Sequence, residues 1–425
     1  MNATPALLLF QNASIIDGTT PDVREGYSVL VEAGLIKEVS DKPLRSASAR
    51  IIDLKGRSLL PGLIDCHVHV VAGIASLGGS AAFPDSLVAA RATNIMRGML
   101  MRGFTTVRDV GGADHGLVVA IEEGTTLGPR LVISGKALSQ TGGHADFRGR
   151  FDNRTPTHYL TRLGAIGRVV DGVPEIRRAA REEIKAGAQF IKIMANGGVA
   201  SPTDPIAFYG FSREELEAVV EEARMAQTYV AGHLYTDDAI RRFIDAGGHS
   251  VEHGSLIQPA TARLMAEKGA FVVPTLVTLE ALAEEGASLG FPAESMAKIE
   301  GVRSAGLRSL EVYRDAGVKM AYGTDLLGPM HRHQSREFSI RARALTPFEV
   351  LQSATVHAAE LTGLAGRAGV VATGAFADLI VVDGNPLQDI NVLGGQGDKL
   401  GLIMKGGVIV KDELTSAALG SSASI

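Results

Sequence analysis

Two histidines at the end of an apolar run are the first residues in the chain that could carry chemistry. The run begins at Leu63, and residues 65–69 read Asp-Cys-His-Val-His. Because side chains alternate along a strand, His67 and His69 are predicted to face the same side. Neutral imidazole is a good ligand for zinc and related divalent metals. Paired histidines also occur as packing or surface residues, so the metal interpretation depends on further ligands at other strand ends.

Three more residues that can bind a metal follow short apolar runs further along the chain. They are His233, His253 and Asp325, and a glycine after His253 would let the chain turn at the rim of a sheet. Each of them alone is more often a cap or a hydrogen-bond partner than a ligand. Their shared position at the ends of predicted strands favours one metal site built from several strands.

A lysine lies inside another apolar run. Lys192 is flanked by apolar residues over 190–194, and burial of an ammonium without a partner is costly and lowers its pKa. The neutral amine can react with carbon dioxide to give a carbamate, whose anionic oxygens can bridge two cations. The alternative is a lysine that extends to the strand rim or pairs with an acid.

These residues need a fold that brings strand ends together. Between Gly62 and Gly366, short apolar runs alternate with longer amphipathic stretches, which is typical of repeated βα units. One such stretch, Ser212–Tyr229, begins with a capping box in which Glu215 follows Ser212 by three positions. Eight runs are predicted as barrel strands, the number that a closed parallel barrel needs. They are Leu63–Val70, Thr105–Val110, Arg130–Ser134, Phe190–Ala195, Val230–Tyr235, Ser250–His253, Phe271–Thr275 and Lys319–Thr324.

Both ends of the chain carry short strand-like runs in place of βα units. The runs are Leu7–Phe10, Ser28–Glu32, Leu35–Ser40, Arg50–Asp53, Asp378–Asp383 and Gly401–Val410. They predict a small β-sandwich domain formed by residues 1–61 and 367–425, beside a (β/α)8 TIM barrel over residues 62–366. The predicted fold class is therefore α/β. The tail Thr415–Ile425, rich in serine and alanine, has no periodic pattern and is expected to fray.

The composition is that of a globular protein, and its charge distribution favours a small-molecule substrate over a charged macromolecule. Hydrophobic residues make up 45% and charged residues 21% of the 425 residues, and the net charge is −5. Basic residues form no long run, so neither nucleic acid nor a membrane surface is an expected partner. Cys66 is the only cysteine, which excludes an intrachain disulfide and fits a packed thiol. A cytoplasmic location is expected, and a periplasmic or secreted one stays open if a leader has been removed.

The six candidate ligands together resemble the binuclear branch of the amidohydrolase superfamily. They are His67, His69, Lys192, His233, His253 and Asp325. Residues 60–65 and 374–379 resemble the family's first barrel strand and its return to the terminal sheet. The segments Thr-Gly-Gly-His at 141–144 and Ala-Asn-Gly-Gly at 195–198 are similar to prolidase-like and carboxypeptidase-like dipeptidases and to ochratoxin-hydrolysing amidohydrolases.

This resemblance implies a set of ligands for two divalent metal ions. The histidine pair of the first strand and Asp325 would hold one ion, and His233 and His253 would hold the other. Carboxylated Lys192 would bridge the two. Ligation by many histidines favours zinc, while manganese, cobalt and nickel stay open. The resemblance also implies a homo-oligomer, with assemblies up to an octamer.

The implied chemistry is attack by a metal-activated hydroxide on an amide carbonyl. Asp325 would accept the proton of the attacking hydroxide and deliver it to the leaving amine. His144 is a candidate to stabilise the oxyanion or to orient the substrate, and a hydrogen bond that braces its loop is the alternative. Tyr209 and His331, with Arg213, are candidates for substrate contact, and a solvated rim loop is the alternative.

The expected function is hydrolysis of the amide between an acyl group and a C-terminal amino acid. Dipeptides, N-acyl amino acids and ochratoxin-type amides are the expected substrates. A cyclic-amide, urea or deaminase-type hydrolase of the same superfamily is the alternative, because substrate choice lies in loops that the fold does not specify. A catalytically inactive scaffold is a further alternative, against which the complete set of six ligands argues.

Overall fold

The computed structural model describes residues 7–152, 154–155, 160–201, 204–291 and 293–414. The strands are numbered in chain order. They are β1 (Leu8–Ile15), β2 (Arg24–Glu32), β3 (Leu35–Ser40), β4 (Arg50–Asp53), β5 (Ser58–Pro61), β6 (Leu63–Val68), β7 (Phe104–Asp109), β8 (Arg130–Ile133), β9 (Ala137–Ser139), β10 (Gly167–Val169), β11 (Ile191–Met194), β12 (Val230–Thr236), β13 (Ser250–Leu256), β14 (Phe271–Val273), β15 (Lys319–Met320), β16 (Leu379–Val382), β17 (Leu400–Lys405) and β18 (Val408–Asp412).

The helices fall mainly between the central strands. They are α1 (Leu77–Ser80), α2 (Asp85–Met101), α3 (His115–Glu122), α4 (Val173–Lys185), α5 (Arg213–Met225), α6 (Asp237–Asp245), α7 (Pro259–Glu267), α8 (Leu276–Glu285), α9 (Ala293–Ala316), α10 (Arg336–Arg341), α11 (Pro347–Ser353) and α12 (Val356–Leu361), with short 3₁₀ helices at Gly328–His333 and Ile390–Leu393. In the part of the chain that is described, no helix has both the length and the apolar character needed to cross a membrane.

The central strands form two parallel sheets. One has the order β6-β7-β8, and the other has the order β10-β9-β11-β12-β13-β14-β15. Helices separate most of these strands in sequence, as parallel pairing requires, because the chain must cross back before it can pair in parallel. The carboxyl ends of neighbouring parallel strands share one edge, so β6, β11, β12 and β13 deliver their last residues to the same rim.

Backbone hydrogen bonds join the two parallel sheets on both sides. On one side, the amide of Cys66 in β6 donates to the carbonyl of Tyr322, at 2.7 Å, and the amide of Asp325 donates to the carbonyl of His67, at 2.8 Å. On the other side, the amide of Gln189, just before β11, donates to the carbonyl of Ile133 in β8, at 2.8 Å. The segment after β15 is therefore tied directly to the strand that carries the two histidines.

Strands from both ends of the chain pair in one eight-stranded sheet. Its order is β18-β17-β16-β5-β1-β2-β3, with β4 paired to β1. The two ends meet where β16 runs antiparallel to β5, with Leu379 opposite Pro61 and Val382 opposite Ser58. Buried side chains from both ends, among them Phe10 and Val381, form a separate core cluster beside this sheet.

The predicted strands and the predicted helix lie where the structure has them, but several begin or end at other residues. The stretch Ser212–Tyr229 forms α5 with the predicted capping box. The helix stops at Met225 because Gln227 adopts a left-handed backbone, with φ at 58°, which ends α-helices. The run Gly401–Val410 was predicted as one strand and is two, because Gly406 and its neighbour, at φ of 54° and 77°, form a turn between β17 and β18.

Three strands were not predicted, and one predicted barrel strand is much shorter than expected. The additional strands are β5, β9 and β10, of four, three and three residues. The last barrel strand, β15, has two residues, because Tyr322 turns to bond with β6 and the amide of Tyr322 donates to the carbonyl of Ser353 at 2.7 Å. The tail Thr415–Ile425 lies outside the described residues.

Candidate metal centre

Three of the six predicted ligands meet where β6 faces the segment after β15. The Nε2 atoms of His67 and His69 lie 3.4 and 3.3 Å from the same carboxylate oxygen of Asp325. The thiol of Cys66 faces the other side, with its sulfur 3.8 Å from the carbonyl oxygen of Ala358. Burial raises the pKa of this thiol to about 12, so it is a packed side chain and not a nucleophile. The predicted alternation over residues 65–69 therefore brings the two imidazoles to one carboxylate.

The electrostatics of this trio favour a cation. Burial alone would raise the pKa of Asp325, but His67 and His69 hold it well below its ordinary value, so the carboxylate is ionised at neutral pH. Burial lowers the pKa of His69, but Asp325, Asp109 and the carbonyl of Gly111 together raise it above its ordinary value. An ionised carboxylate between two imidazoles is a donor set suited to zinc and related divalent metals.

A fully buried carboxylate fixes the spacing of the trio. One oxygen of Asp65 accepts hydrogen bonds from the hydroxyl of Thr324, at 2.6 Å, and from the side-chain amide of Gln334, at 2.9 Å. The other accepts from the backbone amides of His67, at 3.1 Å, and Thr324, at 3.2 Å. Burial raises the pKa of Asp65, and these donors counteract the rise. The network holds the end of β6 against the residue that precedes Asp325.

Replacing Thr324 with valine is expected to destabilise the fold by about 1–3 kcal/mol, because a buried acceptor loses a donor while the shape is kept. The measurement is the free energy of unfolding by chemical denaturation. Thr93→Val is the matched control, since it removes an exposed hydrogen bond to Ala90 on α2 and should change stability by less than about 0.5 kcal/mol. Equal losses in the two variants would show that Asp65 does not depend on this hydroxyl.

Two further predicted ligands form a second pair of imidazoles on β12 and β13. Nε2 of His253 lies 2.9 Å from Nδ1 of His233, and Nδ1 of His253 lies 2.7 Å from the hydroxyl of Thr275. Burial lowers the pKa of both histidines well below the ordinary value, so both are in the neutral form that ligates metals. A nitrogen of His253 also lies within 4.8 Å of ligand atoms of His67 and Asp325. The two groups of ligands therefore adjoin one another.

Two candidate ligands sit on a strained backbone. His253 has φ at 71° and Asp325 has φ at 52°, a region that residues other than glycine rarely adopt. Such conformations cost on the order of 1–3 kcal/mol and persist where the surroundings impose them, often at functional sites. At His253 the strain also breaks strand alternation, so that Glu252 and His253 both reach the ring of His67.

Lys192 is the sixth predicted ligand and lies on β11, beside the strand of His233. Its side chain is 1% exposed. Burial is the main cause that lowers the pKa of Lys192 to about 8, while the nearby charges of Glu252 and Asp325 oppose it. No residue in the described ranges forms a hydrogen bond or an ion pair with this amine. A partly neutral, unpaired amine at the rim is in the state that carbamate formation requires.

A buried ion pair beneath the rim orients one of the candidate ligands. Glu252 accepts a hydrogen bond from Nδ1 of His67, at 2.8 Å, and forms an ion pair with Arg108, at 2.7 Å. Ser250 donates to the same carboxylate at 2.6 Å. Arg108 and His67 hold the pKa of Glu252 below its ordinary value against burial. Because Nδ1 of His67 is engaged, its Nε2 is left to face Asp325, an arrangement typical of metal-bound histidines.

The loop histidine His144 joins the site through its ring. It stacks on His233, with centroids 4.0 Å apart and planes at 22°, and its Nδ1 lies 2.7 Å from the hydroxyl of Ser201 and 3.2 Å from Asp204. Tyr235 packs its ring on His253, with centroids 5.0 Å apart. Within the described residues, neither Nε2 of His144 nor the hydroxyl of Tyr235 has a hydrogen-bond partner. Both polar atoms are therefore available to a substrate.

The other residues predicted to contact the substrate differ in burial. His331 is buried beside the site, with Nε2 3.2 Å from the carbonyl of Ala72, and burial lowers its pKa to about 4. Tyr209 is exposed and lies under the guanidinium of Arg242. Arg213 is exposed and pairs with Glu217, one turn further along α5. The structure brings His331 to the site, and it places Tyr209 and Arg213 on the surface.

A cleft with several apolar side chains lies between four loops, two of which follow strands that carry candidate ligands. It has a volume of about 220 Å³, and its walls come from the loops after β6, after β9, after β11 and after α8. Its larger apolar side chains are Leu77, Phe147, Ala200, Leu289 and Phe291. Two of these walls are close in sequence to His144 and to a residue that contacts it. Phe147 follows His144 by three residues, and Ala200 precedes Ser201, whose hydroxyl lies beside the His144 ring.

The residues present fit a bound divalent metal. Within the part of the chain that the structure describes, Nε2 of His233 is buried and has no hydrogen-bond partner. An unsatisfied buried polar atom costs about 1–3 kcal/mol, and a ligand would offset this cost. The neutral imidazoles of His233 and His253 and the ionised carboxylate of Asp325 are donors suited to such a metal.

Sequence reasoning missed Glu252, Asp204 and Tyr235. Glu252 precedes a predicted ligand, but regular alternation would turn it away from that ligand, and nothing in the sequence signals a left-handed His253. Asp204 lies 60 residues from the histidine that it contacts. Tyr235 follows His233 by two residues on the same strand, and this i, i+2 spacing was a signal that could have found it.

The chain is similar to known proteins over most of its length. The model of the amidohydrolase family matches residues 58–409. An ochratoxinase from Aspergillus niger is 32% identical over 431 aligned positions, which cover 91% of this chain and 87% of that protein.

Two solved structures are also similar to this chain over nearly its whole length. A prolidase complexed with N-methylphosphonate-L-proline has a TM-score of 0.94 and 51% identity, covering 96% of this chain and 100% of that chain. An Xaa-Pro dipeptidase with methionine bound in its active site has a TM-score of 0.84 and 30% identity, over 96% of this chain and 100% of that chain.

Proposed function

Because the chain belongs to the amidohydrolase family, we propose that it is a metal-dependent hydrolase that cuts the amide bond to a C-terminal amino acid. The observation that carries this proposal is the convergence of His67, His69 and His253 on Asp325. The similar proteins act, by their names, on Xaa-Pro dipeptides and on ochratoxin. Dipeptides, N-acyl amino acids and ochratoxin-type amides are the proposed substrates.

The proposed architecture is a single closed (β/α)8 barrel over residues 62–366. The hydrogen bonds that join the two parallel sheets on both sides support this closure. The terminal sheet, with its own core cluster, supports a small β-sandwich domain made of residues 1–61 and 367–425.

The proposed metal set follows the two groups of ligands. His67, His69 and Asp325 would hold one divalent ion, and His233 and His253 would hold the other. Lys192, carboxylated on its amine, would bridge them, and the histidine-rich donor set favours zinc. Two such ions lower the pKa of water and polarise a carbonyl.

The remaining chemistry belongs to side chains of the protein. Asp325 is ionised, so a carboxylate oxygen accepts the proton of the attacking water and later gives it to the leaving nitrogen. Burial raises the pKa of Tyr235, so its hydroxyl stays protonated and donates to the oxygen that gains charge. His144 presents Nε2 to the substrate from its place against His233.

The cleft between the loops is the proposed binding site for the acyl side of the substrate. Leu77, Phe147, Leu289 and Phe291 line this cleft, and a charged group held against them would lose its hydration without a partner. We therefore expect apolar and aromatic acyl groups to be preferred over acidic ones. Burial of a leucine-sized or larger group contributes about 1.5–3 kcal/mol, which corresponds to about 10–150-fold in kcat/KM.

A homo-oligomer is also proposed. It rests on the resemblance of the six candidate ligands to the binuclear branch of the superfamily, which implies an oligomer. Light scattering coupled to size exclusion measures the mass in solution, and a single 44.6 kDa species would contradict the proposal.

The test of function is a panel of amides incubated with the zinc-loaded protein, with release of free amino acid followed by chromatography. The panel pairs apolar and acidic acyl groups on the same C-terminal residues, and it includes a cyclic amide, a urea and an aminated heterocycle. We expect hydrolysis of the dipeptides and N-acyl amino acids, with apolar acyl groups favoured, and loss of activity with a chelator. Turnover confined to the cyclic amide, urea or heterocycle would overturn the proposal, as would complete inactivity.

A further inference from the structure

His144 has almost no freedom to turn, because its ring is enclosed on both faces. One face lies on the ring of His233, with centroids 4.0 Å apart. The other face lies against Gly198, where an added Cβ would overlap three ring atoms. The imidazole occupies the space that a side chain at position 198 would need, so only glycine fits there. Rotation of the ring about the Cβ–Cγ bond would drive it into these two neighbours.

Hydrogen bonds at Nδ1 fix the orientation of the ring further. The carboxylate of Asp204 is 2% exposed, and it accepts from the backbone amide of Gly198, at 2.8 Å, and from the hydroxyl of Ser201. Because that hydroxyl donates to Asp204, its oxygen is left to accept from Nδ1 of His144, at 2.7 Å, and Asp204 accepts from the same nitrogen at 3.2 Å. The proton of a neutral ring is thereby placed on Nδ1, and Nε2 faces the open site.

A lysine on a different element holds these acceptors in place. Nζ of Lys298, on α9, donates to the backbone carbonyls of Gly198, Ser201 and Asp204, at 3.0, 3.0 and 3.1 Å. Three charge-assisted hydrogen bonds from one ammonium are strong compared with bonds between neutral groups. The segment after β11 is thus tied to a long helix that is remote in sequence.

From these contacts we propose that Asp204 is a positioning residue that acts through His144, and that Lys298 holds Asp204 in register for this role. The proposal rests on the proposed function, because it assigns Nε2 of His144 to the amide substrate. Among the described residues, Asp204 forms hydrogen bonds with His144, Gly198, Ser201 and Lys298, and with none of the six proposed metal ligands. Its effect on catalysis is therefore expected to require the imidazole of His144.

A double-mutant cycle separates this role from a general structural one. Asp204→Asn is expected to lower kcat/KM by about 10–100-fold, the size seen when partners of functional histidines are removed. In a His144→Ala background the same change should cost less than about twofold, because the group that it positions is gone. Asp171→Asn is the matched control, since it anchors Thr141 in the same loop without touching His144, and any effect that it has should be the same in both backgrounds.

Substitutions at Gly198 and Lys298 test two other contacts that hold the His144 ring and its partners. Gly198→Ala should reproduce the loss in kcat/KM of His144→Ala, while Gly149→Ala, which faces open space, should leave kcat/KM within about twofold of wild type. Lys298→Met should lower kcat/KM and Lys298→Arg should restore part of it, because the guanidinium can also donate to several carbonyls.

A readout independent of turnover completes the test. In protein labelled with ¹⁵N-histidine, the His144 signal, identified by its loss in His144→Ala, should report a proton on Nδ1 in wild type and a changed tautomer in Asp204→Asn. An equal loss from Asp204→Asn with and without His144, or an unchanged tautomer, would overturn the proposal. A wild-type protein that hydrolyses no amide of the panel would instead overturn the proposed function, even with the tautomer as expected.

Discussion

Asp325→Asn is expected to lower kcat by about 10²–10⁴-fold, the range for loss of a general acid–base group. The carboxylate lies within 3.4 Å of the Nε2 atoms of both His67 and His69, and its pKa is held well below the ordinary value. The amide keeps one oxygen at the same place, but it cannot accept and return a proton. The measurement is the initial rate at saturating substrate, together with metal content.

The control for Asp325→Asn is Asp315→Asn, which makes the same chemical change at an exposed site paired with Arg314. Its kcat should stay within about twofold of wild type. A kcat near the wild-type value in Asp325→Asn, with metal content unchanged, would remove Asp325 from the proton transfers.

Lys192→Ala is expected to lower kcat by about 10²–10⁴-fold and to reduce the metal bound per chain. Loss of the proposed bridging ligand would remove several kcal/mol of stabilisation from the metal-dependent step, and each 1.36 kcal/mol is tenfold in rate. The alanine also leaves space beneath the rim. An added short-chain carboxylate, such as propionate, is therefore expected to restore part of the lost activity by supplying the missing oxygens.

Lys319→Ala is the matched control, since this exposed lysine pairs with Glu360 at 2.5 Å and stands outside the site. Its activity should be unchanged by the substitution and by added propionate. If Lys192→Ala keeps both its metal and its rate, the amine is a structural residue and the proposed bridge is wrong.

Much of the candidate site follows from local sequence rules. Alternation along one strand places His67 and His69 together, and the carboxyl ends of parallel strands place His233 and Asp325 on the same rim. The capping box at Ser212 also predicts the first turn of α5, because both of its hydrogen bonds are local.

The parts that the sequence did not predict depend on contacts between distant residues or on rare backbone conformations. Asp204 and Lys298 reach the site from elements whose contacts no local pattern encodes. The left-handed backbone at His253 reverses the expected side of Glu252, and only tertiary packing imposes such strain. The short length of β15 also depends on distant residues, because the segment that follows it forms backbone hydrogen bonds with β6 and with the end of α11.

The central claim is tested most directly by the number of metal ions per chain, measured by plasma mass spectrometry after the purified protein has been incubated with zinc and dialysed. Two groups of ligands predict about two ions per wild-type chain and fewer in Lys192→Ala. A wild-type chain that retains no stoichiometric metal under these conditions would contradict the metal centre, and with it the proposed hydrolysis.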